Sequence, residues 1–443
     1  MEALRDQIER WVGREEPCSC PDGIHRVPTK RVLIEEGAIE RLPEVIEQLR
    51  LPRTALVVVD DNTLAAAGEQ VLRVLSAGGI RTTVLNLGSE ADVEDSYVKR
   101  VARALDGQAG SCMPVAVGAG TINDVVKMAS EEAYVPYVAC ATAPSMNGYP
   151  SSISAIFRRG VKRTLPAAPP VAIVADLAVM CGAPTELIAS GFADLLSKPL
   201  CNSDWWLAHR LHGEPYCELP ASIMLDAAER LQDNGEAVRR RQPEAIELLT
   251  GALILSGFAM AAAGHSRPAS GAEHLVSHYW DMIGHRDGLK TDRHGRQVGV
   301  GSLLALNVWH RVLAVPAEQV RAAPEAERPS LAHHLLEVRR VYGSLSAYVE
   351  EEFGRKYLSP AEHTAFLGRL AECWDDLRAE LHAALPSVRE HRRRLEAAGA
   401  PTTPEDIGRT KREARDAVRF SRYMRARYTV LDLAADLGVL EEE

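Results

Sequence analysis

The sequence predicts a two-domain protein, with an α/β domain over residues 1–180 and an all-helical domain over residues 181–443. Three observations lead to this fold class. A chain of 443 residues exceeds the size at which one hydrophobic core usually keeps growing. Short apolar runs alternate with amphipathic stretches in the first 180 residues. From about Gly182 onward the strand pattern ends and long helical patterns follow.

Five apolar runs of the first domain are typical of strands that are buried on both faces. They are Thr54–Asp60, Arg81–Leu87, Pro114–Val117, Tyr137–Cys140 and Val171–Val174. The amphipathic stretches between them are Leu64–Ala77, Glu94–Leu105 and Ile122–Glu132. This alternation predicts a parallel sheet flanked by helices, joined by right-handed crossovers. In the second domain, we expect helices with breaks at Pro215–Pro220, His285–Arg296, Pro324–Pro329 and Gly399–Pro404.

Composition limits the class of partner and the compartment. A net charge of −10 argues against a nucleic-acid partner, because such binding depends on clustered positive charge. The N-terminus has no apolar signal region, and the longest apolar stretch, Gly251–Gly264, is too short and glycine-rich to span a bilayer. We therefore expect a cytoplasmic protein without membrane insertion.

The eight cysteines are scattered, which indicates reduced thiols rather than a disulfide framework. Cys18 and Cys20 lie close to His25, but no second cysteine pair accompanies them. We therefore interpret these residues as ordinary thiols and not as a metal site.

A small-residue turn in the first domain is a candidate phosphate site. Gly118, Ala119 and Gly120 follow a strand and open a helix, where backbone N–H groups and the helix dipole attract anions. The turn is not the G-x-G-x-x-G fingerprint, so a purely structural turn is the alternative. A second turn, Ala141–Ser151, follows the next strand. Asp60, after the first strand, is placed either to accept from a ribose hydroxyl or to cap a helix.

Four histidines, His274, His278, His285 and His294, lie between Ser266 and Gly299, and Asp194 lies upstream in an apolar setting. A carboxylate and two imidazoles can hold a divalent metal and leave one coordination position open. His274 and His278 are spaced i, i+4, which places them on one face of a helix. The alternative is a solvated histidine-rich surface.

Several motifs occur together along the chain: Gly118–Lys127, Thr142–Gly148, Gly191–Ser197 with Asp204-Trp205, Ser266–His274, His294–Gly299, Gly399–Gly408 and Arg427–Ala434. This combination resembles the sn-glycerol-1-phosphate dehydrogenase family, which belongs with glycerol dehydrogenase, iron-type alcohol dehydrogenases and 3-dehydroquinate synthase. The resemblance covers nearly the whole chain. It implies a dehydroquinate synthase-like fold with a nucleotide-binding α/β domain and an all-α domain that binds metal and substrate.

The resemblance also implies roles for single residues. Asp194, His274 and His294 would hold one divalent metal, zinc, nickel or iron, and Asp194 and His278 would also face the substrate. NAD or NADP would be bound by residues of the two turns and by Asp60. The turn residues are Gly118, Ala119, Gly120, Thr121, Ile122, Thr142, Ser145 and Ser151. His285 is left as an ordinary loop residue.

Three positions depart from the family pattern, of which Ala119, in place of a frequent glycine, is a mild change. Asn147 stands where many members carry a substrate-contacting aspartate, and it cannot act as a base at neutral pH. Arg296 stands where a glutamate is common. Lys198 and Arg267, close in sequence to the metal motifs, are candidates for a clamp on a substrate phosphate.

The activity implied by the resemblance is reversible hydride transfer between NAD(P)H and dihydroxyacetone phosphate, which gives sn-glycerol 1-phosphate. Alternatives are a dehydrogenase of this fold that acts on another phosphorylated or phosphonate substrate, a dehydroquinate synthase-like cyclase that uses NAD transiently, and a non-catalytic binding protein. The resemblance also implies that the protein is a homo-oligomer, and more specifically a dimer.

Overall fold

The computed structural model describes residues 4–322 and 329–440. The strands of this part are β1 Glu15–Pro17, β2 Ile24–Arg26, β3 Arg31–Glu35, β4 Thr54–Val59, β5 Arg81–Asn86, β6 Met113–Gly118, β7 Val138–Ala141, β8 Ile153–Arg158, β9 Val161–Pro166 and β10 Ala172–Asp176. The α-helices are α1 Leu4–Trp11, α2 Leu42–Gln48, α3 Asp61–Thr63, α4 Glu69–Ala77, α5 Asp95–Leu105, α6 Gly120–Ala133, α7 Leu177–Gly182, α8 Thr185–Leu196, α9 Lys198–His212, α10 Glu218–Leu231, α11 Gly235–Arg239, α12 Pro243–Ala263, α13 Ala272–Arg286, α14 His294–Leu313, α15 Ala317–Ala322, α16 Leu331–Tyr342, α17 Ser346–Gly354, α18 Pro360–Ala384, α19 Val388–Ala397, α20 Lys411–Phe420 and α21 Val430–Asp436.

Six strands form one parallel sheet in the order β3-β10-β7-β6-β4-β5. All five strands predicted from apolar runs lie in it, and the three predicted amphipathic helices are confirmed. The sixth strand, β3, was not predicted, because charged Arg31 and Glu35 bound an apolar centre of three residues. Helices α2 and α4 cover one face of this sheet and share a buried apolar core with its strands.

The expectation that every predicted strand is buried on both faces is wrong for β5. This strand forms one edge of the sheet, and Val84 within it is 44% exposed. Two antiparallel hairpins, β1-β2 and β8-β9, were also missed. Their residues are mostly polar or half-exposed, so they lack the apolar run of a buried strand.

The chain divides into two compact units that interleave along the sequence. The first unit comprises Met1–Leu195, Cys217–Ser266 and Ala397–Gly399, and the second comprises Leu196–Tyr216, Arg267–Glu396 and Ala400–Glu443. The last strand ends at Asp176, close to the predicted change at residue 180. Helices α10 to α12 nevertheless belong to the first unit, because α12 packs against α1, α10 and β3. How the functions divide between the predicted domains stays a prediction.

Helix α12 is the core helix of the first unit. It is long and apolar enough to cross a bilayer, but 89% of its most apolar window is buried inside the protein. Gly251 and Gly257 allow this packing, since a Cβ at Gly257 would lie 2.5 Å from the carbonyl oxygen of Asn147.

The described residues of the second unit form helices joined by loops and contain no strand, as predicted for the C-terminal region. The predicted breaks near residues 215, 287 and 400 separate α9 from α10, α13 from α14 and α19 from α20. The predicted break at Pro324–Pro329 lies outside the described residues except for Pro329.

Candidate active site

The glycine turn of the first unit joins β6 to α6. A Cβ on Gly118 would lie 2.5 Å from Cβ of Ile122, so only glycine fits this strand end. At Gly120 a Cβ would meet Met146 at 3.4 Å, which is an ordinary contact. Ala119 is the N-cap residue of α6, and because its methyl group cannot accept a hydrogen bond, the amides of the first helical turn have no side-chain cap. Such amides, at a helix N-terminus behind a close turn, fit a phosphate group.

The second predicted turn lies beside the first, because β6 and β7 are neighbours in the sheet. The amide of Thr142 donates to the carbonyl of Gly118 across 3.3 Å, and the Tyr149 hydroxyl donates to the same carbonyl across 3.1 Å. Thr142 and Ser145 are buried in this turn. The structure therefore brings the predicted cofactor residues of the two turns together at the carboxyl ends of neighbouring strands.

Asp60 and Ser151 have structural partners. The Asp60 carboxylate accepts from the amide of Thr63 across 2.7 Å and caps α3. The Ser151 hydroxyl receives a hydrogen bond from Nζ of Lys127 across 3.0 Å. Asp60 thus caps α3 through Oδ1, and its contact with a ribose hydroxyl stays a prediction.

Lys127 is a positioning residue that sequence reasoning left without a role. Its side chain is fully buried, and Nζ also donates to the carbonyls of Gly148, Ser151 and Ile153 at 2.6 to 3.0 Å. Burial lowers the pKa of Lys127 to about 8, against the opposing charge of Asp124. Through these bonds Lys127 fixes the end of the second turn. The position of Lys127 among the apolar residues of a predicted helix was the one sign in the sequence that this lysine is buried.

Asp194 lies near the end of α8 and is fully buried. Its Oδ2 accepts from the amide of Asn147 across 3.3 Å, so these two predicted substrate-facing residues are neighbours within the first unit. The Asn147 side chain donates to Oγ of Ser256 across 3.0 Å. Gly191 makes this approach possible, since a Cβ there would overlap the carbonyl of Pro144.

Three of the four clustered histidines converge in the second unit. His274 and His278 lie one turn apart on α13, as predicted, and His294 is the first residue of α14. The ring centroid of His274 is 5.1 Å from that of His294 and 6.1 Å from that of His278, and the last two rings are 5.6 Å apart. His285 lies in the last turn of α13, so the expectation that it is a loop residue is wrong.

Glu273 orients His274. Its Oε1 accepts from Nδ1 of His274 across 2.6 Å, which leaves Nε2 with a lone pair for a metal. Burial raises the pKa of Glu273, but the hydrogen bond and charge of His274 outweigh burial and lower it to about 2. This arrangement, together with the nearby imidazole of His294, fits a divalent metal.

Asp204 holds the start of α13. Its Oδ2 accepts from the amide of Ala272 and its Oδ1 from the amide of Val430, each across 2.7 Å. Burial and the charge of Glu273 raise the pKa of Asp204 well above its usual range. A Cβ on Gly271 would lie 2.4 Å from Oδ2 of Asp204, so glycine is required before the helix. Asp204 and Glu273 both lie within the family motifs, but sequence reasoning gave neither a role.

The remaining predicted site residues lie in the second unit. Lys198 is fully buried and donates to the carbonyl of Ala269 across 3.0 Å. Nε of Arg267 lies 2.9 Å from Oε2 of Glu214. Arg296 forms an ion pair with Asp292 across 2.9 Å. The arginine that stands here in place of the family's glutamate is therefore paired with an acidic residue four positions earlier in the chain.

Comparisons with known proteins show the fold and the family of this chain. Residues 33–184 match the family model for iron-containing alcohol dehydrogenase. A probable glycerol dehydrogenase from Sinorhizobium meliloti superposes with a TM-score of 0.60 over 93% of this chain and 96% of its own, at 19% identity. That likeness confirms the predicted fold class. Curated relatives of the chain show its class, an enzyme of the alcohol dehydrogenase type.

The curated relatives also show the family within this class of enzymes. Glycerol-1-phosphate dehydrogenase of Bacillus licheniformis is 30% identical over 82% of this chain and 92% of its own length. The enzyme of the same name from Pyrococcus horikoshii is 35% identical over 62% of this chain and 77% of its own. The chain belongs to the glycerol-1-phosphate dehydrogenase family, as its motifs indicated.

Proposed function

We propose that this enzyme interconverts dihydroxyacetone phosphate and sn-glycerol 1-phosphate, with NAD or NADP and one divalent metal. The observation that carries the proposal is the orientation of His274 by Glu273 beside His278 and His294. The names of the relatives support the substrate and the cofactor.

We propose that Asp194, His274 and His294 hold the metal. Two imidazoles and a carboxylate suit zinc or nickel, and iron is the third candidate. The bound metal would supply a Lewis acid for the carbonyl oxygen of the ketone, and the bound nicotinamide would supply the hydride.

The first unit would bind and orient the dinucleotide. The amides of Gly120, Thr121 and Ile122 would receive the pyrophosphate, and Gly118 and Ala119 let the backbone approach it. Side chains of the second turn would contact the nicotinamide half; they are Thr142 and Ser145. Ser151 would contribute by holding the turn through Lys127, because its hydroxyl is already engaged there.

The second unit would handle the proton and the phosphate. His278 is half-buried and lies within 6.1 Å of the His274 ring, so it is placed to exchange a proton with the substrate hydroxyl, directly or through a water. Lys198 and Arg267 would supply positive charge to the phosphate. Arg267 already neighbours Arg427, whose pKa is lowered to about 10 by burial and by the charge of Arg267.

A second candidate substrate is another phosphorylated or phosphonate ketone. Asn147 favours it, because the resemblance implies an aspartate at this position, whereas the Asn147 side chain is neutral and donates to Ser256 while its backbone amide donates to Asp194. A dehydroquinate synthase-like cyclase remains the third candidate. We further propose a cytoplasmic homodimer that binds small molecules rather than nucleic acid, in keeping with the net charge of −10.

The test follows NADH and NADPH absorbance with dihydroxyacetone phosphate, using metal-stripped protein reconstituted with zinc, nickel or iron. Metal-dependent oxidation of either cofactor is expected. If neither cofactor is oxidised with any of the metals, dihydroxyacetone phosphate is not the substrate. Oxidation with a different phosphorylated or phosphonate ketone would then favour the second candidate. A cyclase would show turnover without net consumption of NADH.

A further inference from the structure

Three cysteines and one histidine of the first unit form a second cluster of metal-binding groups. Cys18 and Cys20 lie in the loop of the β1-β2 hairpin, His25 lies in β2, and Cys217 directly precedes α10. Their ligand atoms all lie within 4.8 Å of one another. This cluster shares no residue with the histidine cluster described above.

The separations match those of ligands around one tetrahedral ion. Sγ of Cys18 lies 3.6 Å from Sγ of Cys217, and Nε2 of His25 lies 3.3 Å from Sγ of Cys20 and 3.2 Å from Sγ of Cys217. A tetrahedron with Zn–S of about 2.3 Å and Zn–N of about 2.0 Å separates two sulfurs by about 3.8 Å and sulfur from nitrogen by about 3.5 Å. A disulfide would need the two sulfurs at about 2.0 Å.

The neighbouring groups orient these ligands as they do in metal sites. Nδ1 of His25 lies 2.7 Å from the carbonyl of Ala262 and donates to it, so the lone pair of Nε2 points to the sulfurs. The amide of Cys20 donates to Sγ of Cys18 across 3.5 Å, which stabilises a thiolate. His25 and Cys217 are buried, and the two loop cysteines are half-buried.

We propose that Cys18, Cys20, His25 and Cys217 bind one zinc ion as a structural site. Three thiolates and one imidazole are a closed ligand set, with no position left for a substrate. The ion would tie the β1-β2 hairpin to the start of α10, and β2 already packs against α12. The interpretation of Cys18 and Cys20 as ordinary thiols rested on the lack of another nearby cysteine, and Cys217 supplies one from 199 residues along the chain.

Cobalt substitution of the full-length protein tests the site. Thiolate ligands give cobalt(II) an intense charge-transfer absorption that carboxylate and imidazole ligands do not give, so an Asp-His-His site does not contribute. The band is expected in the wild-type protein, and Cys20→Ser should lose it together with one zinc ion per chain.

Two serine variants serve as matched controls. Cys201 is a buried thiol beside Glu273, and Cys373 is a half-buried thiol of α18. Cys201→Ser and Cys373→Ser should both keep the band. Absence of the band in wild-type protein, its loss in Cys201→Ser, or a Cys18–Cys217 disulfide in freshly purified protein would overturn the proposal. The wild-type and Cys201→Ser spectra decide this even if Cys20→Ser fails to fold.

Discussion

Oε1 of Glu273 lies 2.6 Å from Nδ1 of His274, and this bond selects which nitrogen of His274 can face a metal. We expect Glu273→Gln to weaken metal binding by about 10- to 100-fold, as is typical when the partner of a metal-binding histidine is changed. Competition with a chelator measures the affinity. Glu362→Gln, in the capping box of α18, is the control and should leave it unchanged. Equal affinities in the two variants would contradict the orienting role.

Removal of the His274 imidazole should abolish both metal content and turnover. His274→Ala deletes one of the proposed ligands and the partner of Glu273. His285→Ala changes the same helix in its last turn and should retain both properties. Metal analysis and cofactor oxidation are measured on the same preparations. Retained metal and activity in His274→Ala would refute the ligand assignment.

Gly118 and Gly120 should respond differently to a methyl group. Gly118→Ala brings Cβ to 2.5 Å from Ile122, and we expect it to lower the free energy of unfolding by about 1–3 kcal/mol. At Gly120 the nearest side-chain atom would be 3.4 Å away, so Gly120→Ala should cost less than about 1 kcal/mol. Denaturant unfolding checks both values. Similar losses in the two variants would show that the turn does not have this geometry.

Lys127→Met should destabilise the first unit strongly. It removes one donor from each of three carbonyls and the charge near half-buried Asp124, which should cost about 3 kcal/mol. The free energy of unfolding is compared with that of Lys99→Met, an exposed lysine of α5 expected to change it by less than about 0.5 kcal/mol. A loss of stability as small as that of Lys99→Met would contradict the proposal that Lys127 fixes the end of the second turn.

His391 should make the protein less stable in acid. Burial, helped by the charge of Arg394 and opposed by that of Glu273, lowers its pKa from 6.5 to about 3. Between these values the unfolded chain binds a proton that the folded chain does not, so the free energy of unfolding falls as the pH falls through this window.

His391→Gln should reduce that dependence, since glutamine retains a partner for Oγ of Ser302, which lies 2.7 Å from Nε2 of His391. Urea unfolding at several pH values measures the change. His382→Gln replaces an exposed histidine and should leave the dependence unaltered. If the free energy of unfolding falls more steeply with falling pH in His391→Gln than in the wild-type protein, the prediction is wrong.

Much of the α/β fold was predictable because its signals are local. The apolar runs of β4, β6, β7 and β10 are short, continuous and bounded by turns, so they indicate buried strands without knowledge of their partners. The edge position of β5 was not predictable, because it depends on which strand has no neighbour on one side.

The candidate site was predictable in part for the same reason. His274 and His278 are one helical turn apart, so their spacing alone is enough to place them on one face of α13. The motif resemblance added Asp194 and His294 as proposed ligands. The partners Glu273, Asp204 and Lys127 carried no such pattern, since their roles depend on burial and on which backbone groups lie nearby.

The sequence by itself determined the fold class, the glycine turn, the histidine spacing and the family. Only the tertiary structure decided that Cys217 lies beside Cys18, Cys20 and His25, and that Glu273 directs His274. Helix and strand periods act over a few residues, whereas a contact across 199 residues forms only when the chain packs its core. Residue spacing therefore revealed the local groups, and packing selected their distant partners.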